Sequence, residues 1–327
     1  MEKAMEVRDN SALLKRARHK YFTYGLVVPL MKLESPLEQS YRNTYYCCET
    51  LTERNGIVRD YSYRMMNNGE VIITSSYCKN RWCTVCNRIR TAILINTYKP
   101  VLDSWDDKYF VTLTIPNVPA DKLSSVIDGM EAEFRKVKEV FYRQHRRKKR
   151  DTSLIGFRKL ECTYNPERND YHPHYHIIVR GEGMAKELLA EWLRRYPEAV
   201  EQAQDVQKAD DDSVMELFKY FTKLITKTKS KGSAVFIRPL DVIFQAMRGR
   251  RTFQNFGFRC EVIEDEPISE EAERLAEKIE GEAVTVMYKW VQEVTDWVEK
   301  QSGRVLTGYQ PTPAFRQLVE GVGKSSP

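Results

Sequence analysis

Tyr171-His172-Pro173-His174-Tyr175-His176 runs directly into Ile177-Ile178-Val179, so three of the chain's five histidines alternate along one β-branched segment. Alternate residues of a strand share a face, and the spacing therefore sets three imidazoles side by side. A strand that only has to fold would carry Val, Ile or Thr at such positions. Imidazole is the commonest metal ligand, so the pattern predicts a metal site built on a sheet.

The residues upstream supply a partner for these imidazoles. Residues 154–164 and 174–179 read as two strands joined by Asn165-Pro166-Glu167-Arg168-Asn169-Asp170, a run of turn-forming residues. A turn centred near residues 167–168 makes cross-strand partners sum to about 335 to 337, which sets Glu161 opposite His174 or His176. Two imidazoles and a carboxylate on one face leave room for phosphate oxygens and water, and suit Mg²⁺ or Mn²⁺. His174, His176 and Glu161 are the expected ligands. His172 is a further candidate ligand; with Pro173 bending the strand, its alternative role is to orient a ligand or to bind phosphate. The same donor set serves iron oxygenases, so the ligands alone do not name a reaction.

A nucleophile is offered by residues 213–227. Val214, Leu217, Phe218, Phe221, Leu224 and Ile225 recur at helical spacing, with Glu216, Tyr220, Lys223 and Lys227 on the other side. Tyr220 would stand one turn from a carboxylate and one turn from a lysine, presenting a phenol to a phosphate. A phenol with a pKa near 10 needs a cation, metal or base beside it to attack at neutral pH, and Lys223 can take that part. Ser213-x-x-Glu216 is also a capping box, so Glu216 either caps the helix or belongs with Tyr220.

Cys78-x4-Cys83-x2-Cys86 brings three thiolates close together. Cys47 or Cys48 completes a tetrahedral, structural Zn²⁺ site, with Cys48 taken as the fourth ligand. An odd total of seven cysteines fits metal binding better than a disulfide framework. Arg146 and Arg147 in the basic run 143–150, Arg248, Arg250 and Arg251, together with Lys223 and Lys227, are expected to contact DNA phosphates. Trp82, Tyr164 or Tyr175 can stack on bases.

A sheet and its flanking helices must hold these groups. Tyr109-Phe110-Val111-Thr112-Leu113-Thr114-Ile115, stopped by Pro116, is strongly β in composition. Residues 121–145 then show helical spacing at Leu123, Val126, Met130, Phe134 and Val137. Another helix is expected over residues 186–196. Asn67-Asn68-Gly69 signals a turn before the strand-like Val71-Ile72-Ile73-Thr74-Ser75, and residues 269–300 read as an acidic, partly amphipathic helix. The expected chain is α+β: an N-terminal arm (1–40), a cysteine-rich zinc module (41–105), a catalytic domain with an antiparallel sheet and helices on one face (106–260), and a helical C-terminal region (261–327).

With 327 residues, of which 42% are apolar and 11% aromatic, a globular core is within reach. No apolar run approaches the roughly 20 residues of a membrane span, and the charged N-terminus is unlike a signal peptide, so a cytoplasmic location without a membrane partner is expected. The net charge of +6 conceals an acidic excess of eight over residues 261–282, which leaves +14 on the rest. Such a basic body points to a polyanion, nucleic acid first.

Taken in order, these residues resemble the rolling-circle replication initiators of small plasmids, class-1 plasmid Rep proteins within the His-hydrophobe-His endonuclease superfamily. The resemblance covers roughly residues 45–260. Phe110-Val-Thr-Leu-Thr114 is similar to that family's first motif, His172-Pro-His-Tyr-His176 to its metal motif, and Glu216-Leu-Phe-Lys-Tyr220 to its tyrosine motif. The cysteine segment 78–86 and the basic, glycine-containing block 246–257 agree too, while Thr84 stands where family members often have proline. The resemblance implies an RRM-like nicking core. It implies that Tyr220 attacks a phosphodiester of single-stranded or supercoiled origin DNA, leaving a 5′-phosphotyrosyl link and a 3′-OH that primes synthesis. Glu216 would activate water or the 3′-OH in the closing reaction, with a host helicase and polymerase as partners. A transposase or relaxase of the same superfamily, or a non-catalytic metal-containing DNA-binding regulator, is the alternative.

Overall fold

A computed structural model describes residues 11–54, 57–59, 61–65, 71–75, 77–219, 221–228, 232–259 and 285–323. In chain order the elements are α1 (Ser11–Leu30), α2 (Glu38–Tyr45), β1 (Thr50–Arg54), β2 (Ile57–Arg59), β3 (Tyr61–Met65), β4 (Val71–Ser75) and α3 (Thr84–Asp103). There follow β5 (Lys108–Thr114), α4 (Ala120–Arg146), β6 (Gly156–Asn165), β7 (Asp170–Arg180), α5 (Glu182–Arg195), β8 (Asp205–Lys208) and α6 (Asp211–Phe218). The last are β9 (Thr226–Thr228), β10 (Gly232–Ala234), α7 (Ile237–Met247), β11 (Phe253–Phe256), β12 (Thr285–Val291), β13 (Asp296–Glu299) and α8 (Pro313–Glu320). They form two compact units, one of residues 90–262 and one of residues 1–89 with 263–327.

The unit of residues 90–262 is built on an antiparallel sheet of order β11-β6-β7-β5-β8. Asn165 Oδ1 accepts from the N–H groups of Glu167 and Arg168, which closes the turn between β6 and β7. The register that results pairs Glu161 with His174, Lys159 with His176, and Thr163 with His172, so partners sum to 335. On the other side of β7, Thr112 pairs with His176 and Thr114 with His174.

Helices cover both faces of this sheet rather than the one face expected from sequence. Phe157 and Ile178 pack with Tyr98 of α3 and with Leu217 and Phe218 of α6. On the opposite face Tyr175 meets Phe134 of α4 and Trp192 of α5. The physical reason lies in the strands: β6 and β7 carry large apolar groups in both phases of the alternation, so neither face can be left to water. Trp192 is fully buried, and truncating such a ring to Ala costs about 3–5 kcal/mol.

The helix expected over residues 213–227 is much shorter. Asp210, not Ser213, caps it, its carboxylate accepting from Ser213 N at 2.8 Å and Ser213 Oγ at 2.6 Å, and the helix ends at Phe218 with Lys219 extended. Past that point the Phe221 carbonyl accepts from Cys162 N, continuing the edge of β6 where β11 stops. A strand N–H in need of a partner thus overrides a helical apolar pattern. Thr226–Thr228 is a strand.

In the other unit the expected arm is partly the helix α1, and the expected C-terminal helix over residues 269–300 is corrected in its described part: 285–291 and 296–299 are strands. They join a sheet of order β13-β12-β1-β2. Tyr288 and Trp290 are buried while Met287 and Lys289, which alternate with them, are exposed, the period of two that aromatic and β-branched residues favour. Among the described residues no helix is long and apolar enough to cross a membrane.

Candidate functional site

The histidine face of the sheet is apolar at one end and polar at the other. Alternation along β5, β6 and β7 puts Phe110, Phe157 and Ile178 at the apolar end, and Thr112, Lys159, Glu161, His174 and His176 beyond them. Glu161, His174 and His176 offer three ligand atoms within 4.8 Å of one another. His174 Nε2 lies 3.2 Å from His176 Nε2, which in turn is 3.6 Å from Glu161 Oε2.

Each imidazole is held from behind. His174 Nδ1 lies 3.0 Å from the His172 carbonyl, and His176 Nδ1 lies 3.3 Å from Thr112 Oγ1. The His172 carbonyl can only accept, so His174 Nδ1 carries the proton and its lone pair is on Nε2, turned toward the cluster; the Thr112 hydroxyl can hold His176 in the same form. Phe110 also stacks on the His176 ring, centroids 5.2 Å apart. Burial lowers the pKa of His174 to about 4 and lowers that of His176 as well. Burial would raise Glu161, but the Lys159 ammonium and His174 beside it outweigh that and hold its carboxyl below the usual range. Neutral imidazoles and an ionised carboxylate are the forms that bind a cation, so the donor set fits a metal ion.

His172, also expected as a ligand, stands outside the three-atom group: its ring stacks on His174 and its carbonyl orients it. Glu216 does not cap its helix; its carboxylate pairs with Lys219, and its charge, like that of exposed Lys223, is felt by His176. Tyr220 lies outside the described residues, as does the Lys227 side chain on β9. Sequence reasoning passed over Thr112 and Lys159. The signal for both was register: each directly faces His176.

Arg250, expected to contact DNA, braces two helices. It is ion-paired with Asp128, and its guanidinium donates to the Ala246 carbonyl at 2.6 Å and to Ser124 Oγ at 3.0 Å. Arg248, Arg251, Arg146 and Arg147 are exposed. Trp82 and Tyr175 are buried, which removes them as stacking platforms, and Tyr164 packs on Tyr171 and Phe236.

In the other unit, Cys47, Cys78, Cys83 and Cys86 form a second group able to hold a metal. The Sγ–Sγ distances are 3.4 Å for Cys47–Cys86, 3.5 Å for Cys47–Cys83 and 3.7 Å for Cys78–Cys86. A tetrahedron with metal–sulfur bonds of about 2.3 Å has edges of about 3.8 Å, so the four sulfurs fit. Cys47 therefore takes the place expected of Cys48. Cys48 has φ of +53°, and its carbonyl accepts from Trp297 Nε1 at 3.0 Å. That left-handed turn is what separates the two adjacent cysteines. Buried Lys20 donates to the Cys47 and Tyr45 carbonyls at 2.6 and 2.8 Å and fixes the same turn.

Residues 70–183 match the family model described as replication protein. Among curated relatives, each called Protein rep, one from Staphylococcus aureus is 36% identical over 108 residues, 31% of this chain and 44% of its own length. One from a Bacillus species is 33% identical over 38% of this chain and 41% of its own length. One from Streptococcus pneumoniae serotype 2 is 29% identical over 55% and 59%. The chain thus spans about half the length of the curated relatives it matches. No solved structure matches it. The matched segment holds Cys78, Cys83 and Cys86, the threonines of β5, Glu161 and all three strand histidines, and through it the chain is similar to the family described as replication protein and to the proteins called Protein rep.

Proposed function

We propose that the chain initiates plasmid rolling-circle replication by nicking and rejoining single-stranded DNA at the origin. The observation that carries this reading is the convergence of His174 Nε2, His176 Nε2 and Glu161 on one sheet face, within the segment matched by the replication-protein model. Mn²⁺ or Mg²⁺ held by these three residues would polarise the scissile phosphate. Tyr220 attacks phosphorus; the P–O3′ bond breaks, the phenol oxygen keeps the 5′-phosphate, and the leaving 3′ oxygen takes up a proton. The 3′-OH then primes synthesis. Glu216 accepts a proton from water, or from a 3′-OH, in the reaction that resolves the phosphotyrosine.

Exposed Lys223, Arg146, Arg147, Arg248 and Arg251, with Lys227, contact DNA phosphates. Zn²⁺ on Cys47, Cys78, Cys83 and Cys86 is structural. Partners are origin DNA, a host helicase and a polymerase, in the cytoplasm.

The test is to incubate the protein and Tyr220→Phe with single-stranded origin DNA and Mn²⁺. A DNA-linked protein band present only with Tyr220 supports the reading. Cleavage without that band removes Tyr220 as nucleophile, and absence of cleavage favours a DNA-binding regulator.

A further inference from the structure

Lys159 is 2% exposed, and its ammonium donates to Glu161 Oε2 at 2.7 Å and to the Glu216 carbonyl at 3.1 Å. A buried ammonium must be paired. Its partner here is the single carboxylate of the candidate metal set, and the oxygen it takes, Oε2, is the one that lies 3.6 Å from His176 Nε2. Lys159 and a metal ion are therefore directed to the same oxygen atom.

A divalent ion that takes this oxygen meets a fixed positive charge close by, where little water screens it, and the repulsion weakens its binding. A phosphodiester entering the site reverses the balance, because its negative charge is attracted by the ion and by the ammonium together. The other nearby cations do less: the Lys219 side chain is 63% exposed and Lys223 is exposed, so water and salt screen both.

We infer that Lys159 is a positioning residue that couples metal binding to phosphate binding: it neutralises Glu161 while the ion is absent, and it makes the ion bind tightly only alongside a phosphodiester. By linkage, the ion tightens phosphodiester binding by the same factor. The contact with the Glu216 carbonyl, in the last turn of α6, ties that helix to the same charge. The inference rests on the metal reading proposed above.

The experiment is calorimetric titration of Mn²⁺ into the full chain, Lys159→Met, Lys159→Gln and His176→Ala, each with and without an oligothymidine that offers phosphodiesters but no origin sequence. In the wild type the oligonucleotide should tighten Mn²⁺ binding about tenfold. Both Lys159 variants should bind Mn²⁺ about tenfold more tightly than wild type in the absence of DNA, and lose most of the oligonucleotide's effect. A merely structural lysine would not raise metal affinity on removal. Gln keeps a donor for both acceptors, so it decides the matter if the Met variant unfolds. Mn²⁺ binding that is lost in His176→Ala but unchanged or weaker in Lys159→Gln, with the oligonucleotide effect intact, overturns this inference alone. A wild type that binds no Mn²⁺ with or without DNA overturns the metal reading and the inference with it.

Discussion

His174 Nε2 and His176 Nε2 lie 3.2 Å apart, with both rings' Nδ1 atoms beside oxygens. A cation placed between the two Nε2 atoms accepts a lone pair from each. His174→Ala and His176→Ala should each weaken Mn²⁺ binding at least about 100-fold and abolish nicking. Circular dichroism should be unchanged, and calorimetry reads the affinity; wild-type affinity in either variant removes that histidine from the ligand set.

Thr112 reaches His176 from the neighbouring strand at 3.3 Å. Thr112→Val keeps the shape and removes the oxygen, so metal affinity should fall about tenfold, while Thr112→Ser should recover it. Equal affinity in Val and Ser variants would show that the Thr112 hydroxyl does not orient the ring.

Cys47 and Cys48 can be told apart chemically. Zinc measured by plasma emission in purified protein should drop sharply in Cys47→Ser and stay near one equivalent per chain in Cys48→Ser, as expected for a four-thiolate site. A chelator should lower the melting temperature of wild type more than that of Cys47→Ser. The reverse ranking would return Cys48 to the ligand set.

Acid should loosen the metal-free protein in a defined window. Burial holds His172 and His174 at about 4 in the folded chain, against about 6.5 when unfolded. The unfolded state then binds more protons between those values, so their contribution is fully present above about pH 6.5 and is lost as pH falls toward 4. Urea unfolding in chelator at pH 7, 5.5 and 4.5 should show this decline, with a smaller slope in His172→Asn. An equal slope would take His172 out of the account.

Gly257 has φ of +81°, and a Cβ there would meet the Leu154 carbonyl oxygen at 2.2 Å. Gly257→Ala combines a disfavoured backbone angle with a backbone clash, and should cost about 2–4 kcal/mol in urea unfolding. A loss of a few tenths would mean that the end of β11 moves freely away from Leu154.

Periodicity carried the sheet and its long helix into view before any coordinates. The alternation of His172, His174 and His176, the Asn165 turn and the apolar spacing before residue 146 are local signals, set by backbone geometry over a few residues; together they put Glu161 opposite His174 or His176, and the register of the folded hairpin selects His174. Spacing alone failed wherever the outcome depended on a distant partner. The helical stripe beyond Phe218 is broken because Cys162 N takes the Phe221 carbonyl. Residues 285–291 are a strand because β1 is there to pair with them, and residues 296–299 pair with that strand in turn.

The site divides the same way. Sequence by itself determined the donor types: imidazoles and a carboxylate at strand spacing, and a cysteine cluster short of one member. Tertiary structure decided which atoms meet. It chose Cys47 over Cys48 through one left-handed residue, withdrew Arg250 to Asp128, and placed Lys159 on Glu161. A charged side chain is assigned by whichever partner comes within hydrogen-bond reach once water is excluded, and that is fixed only when the strands and helices have packed.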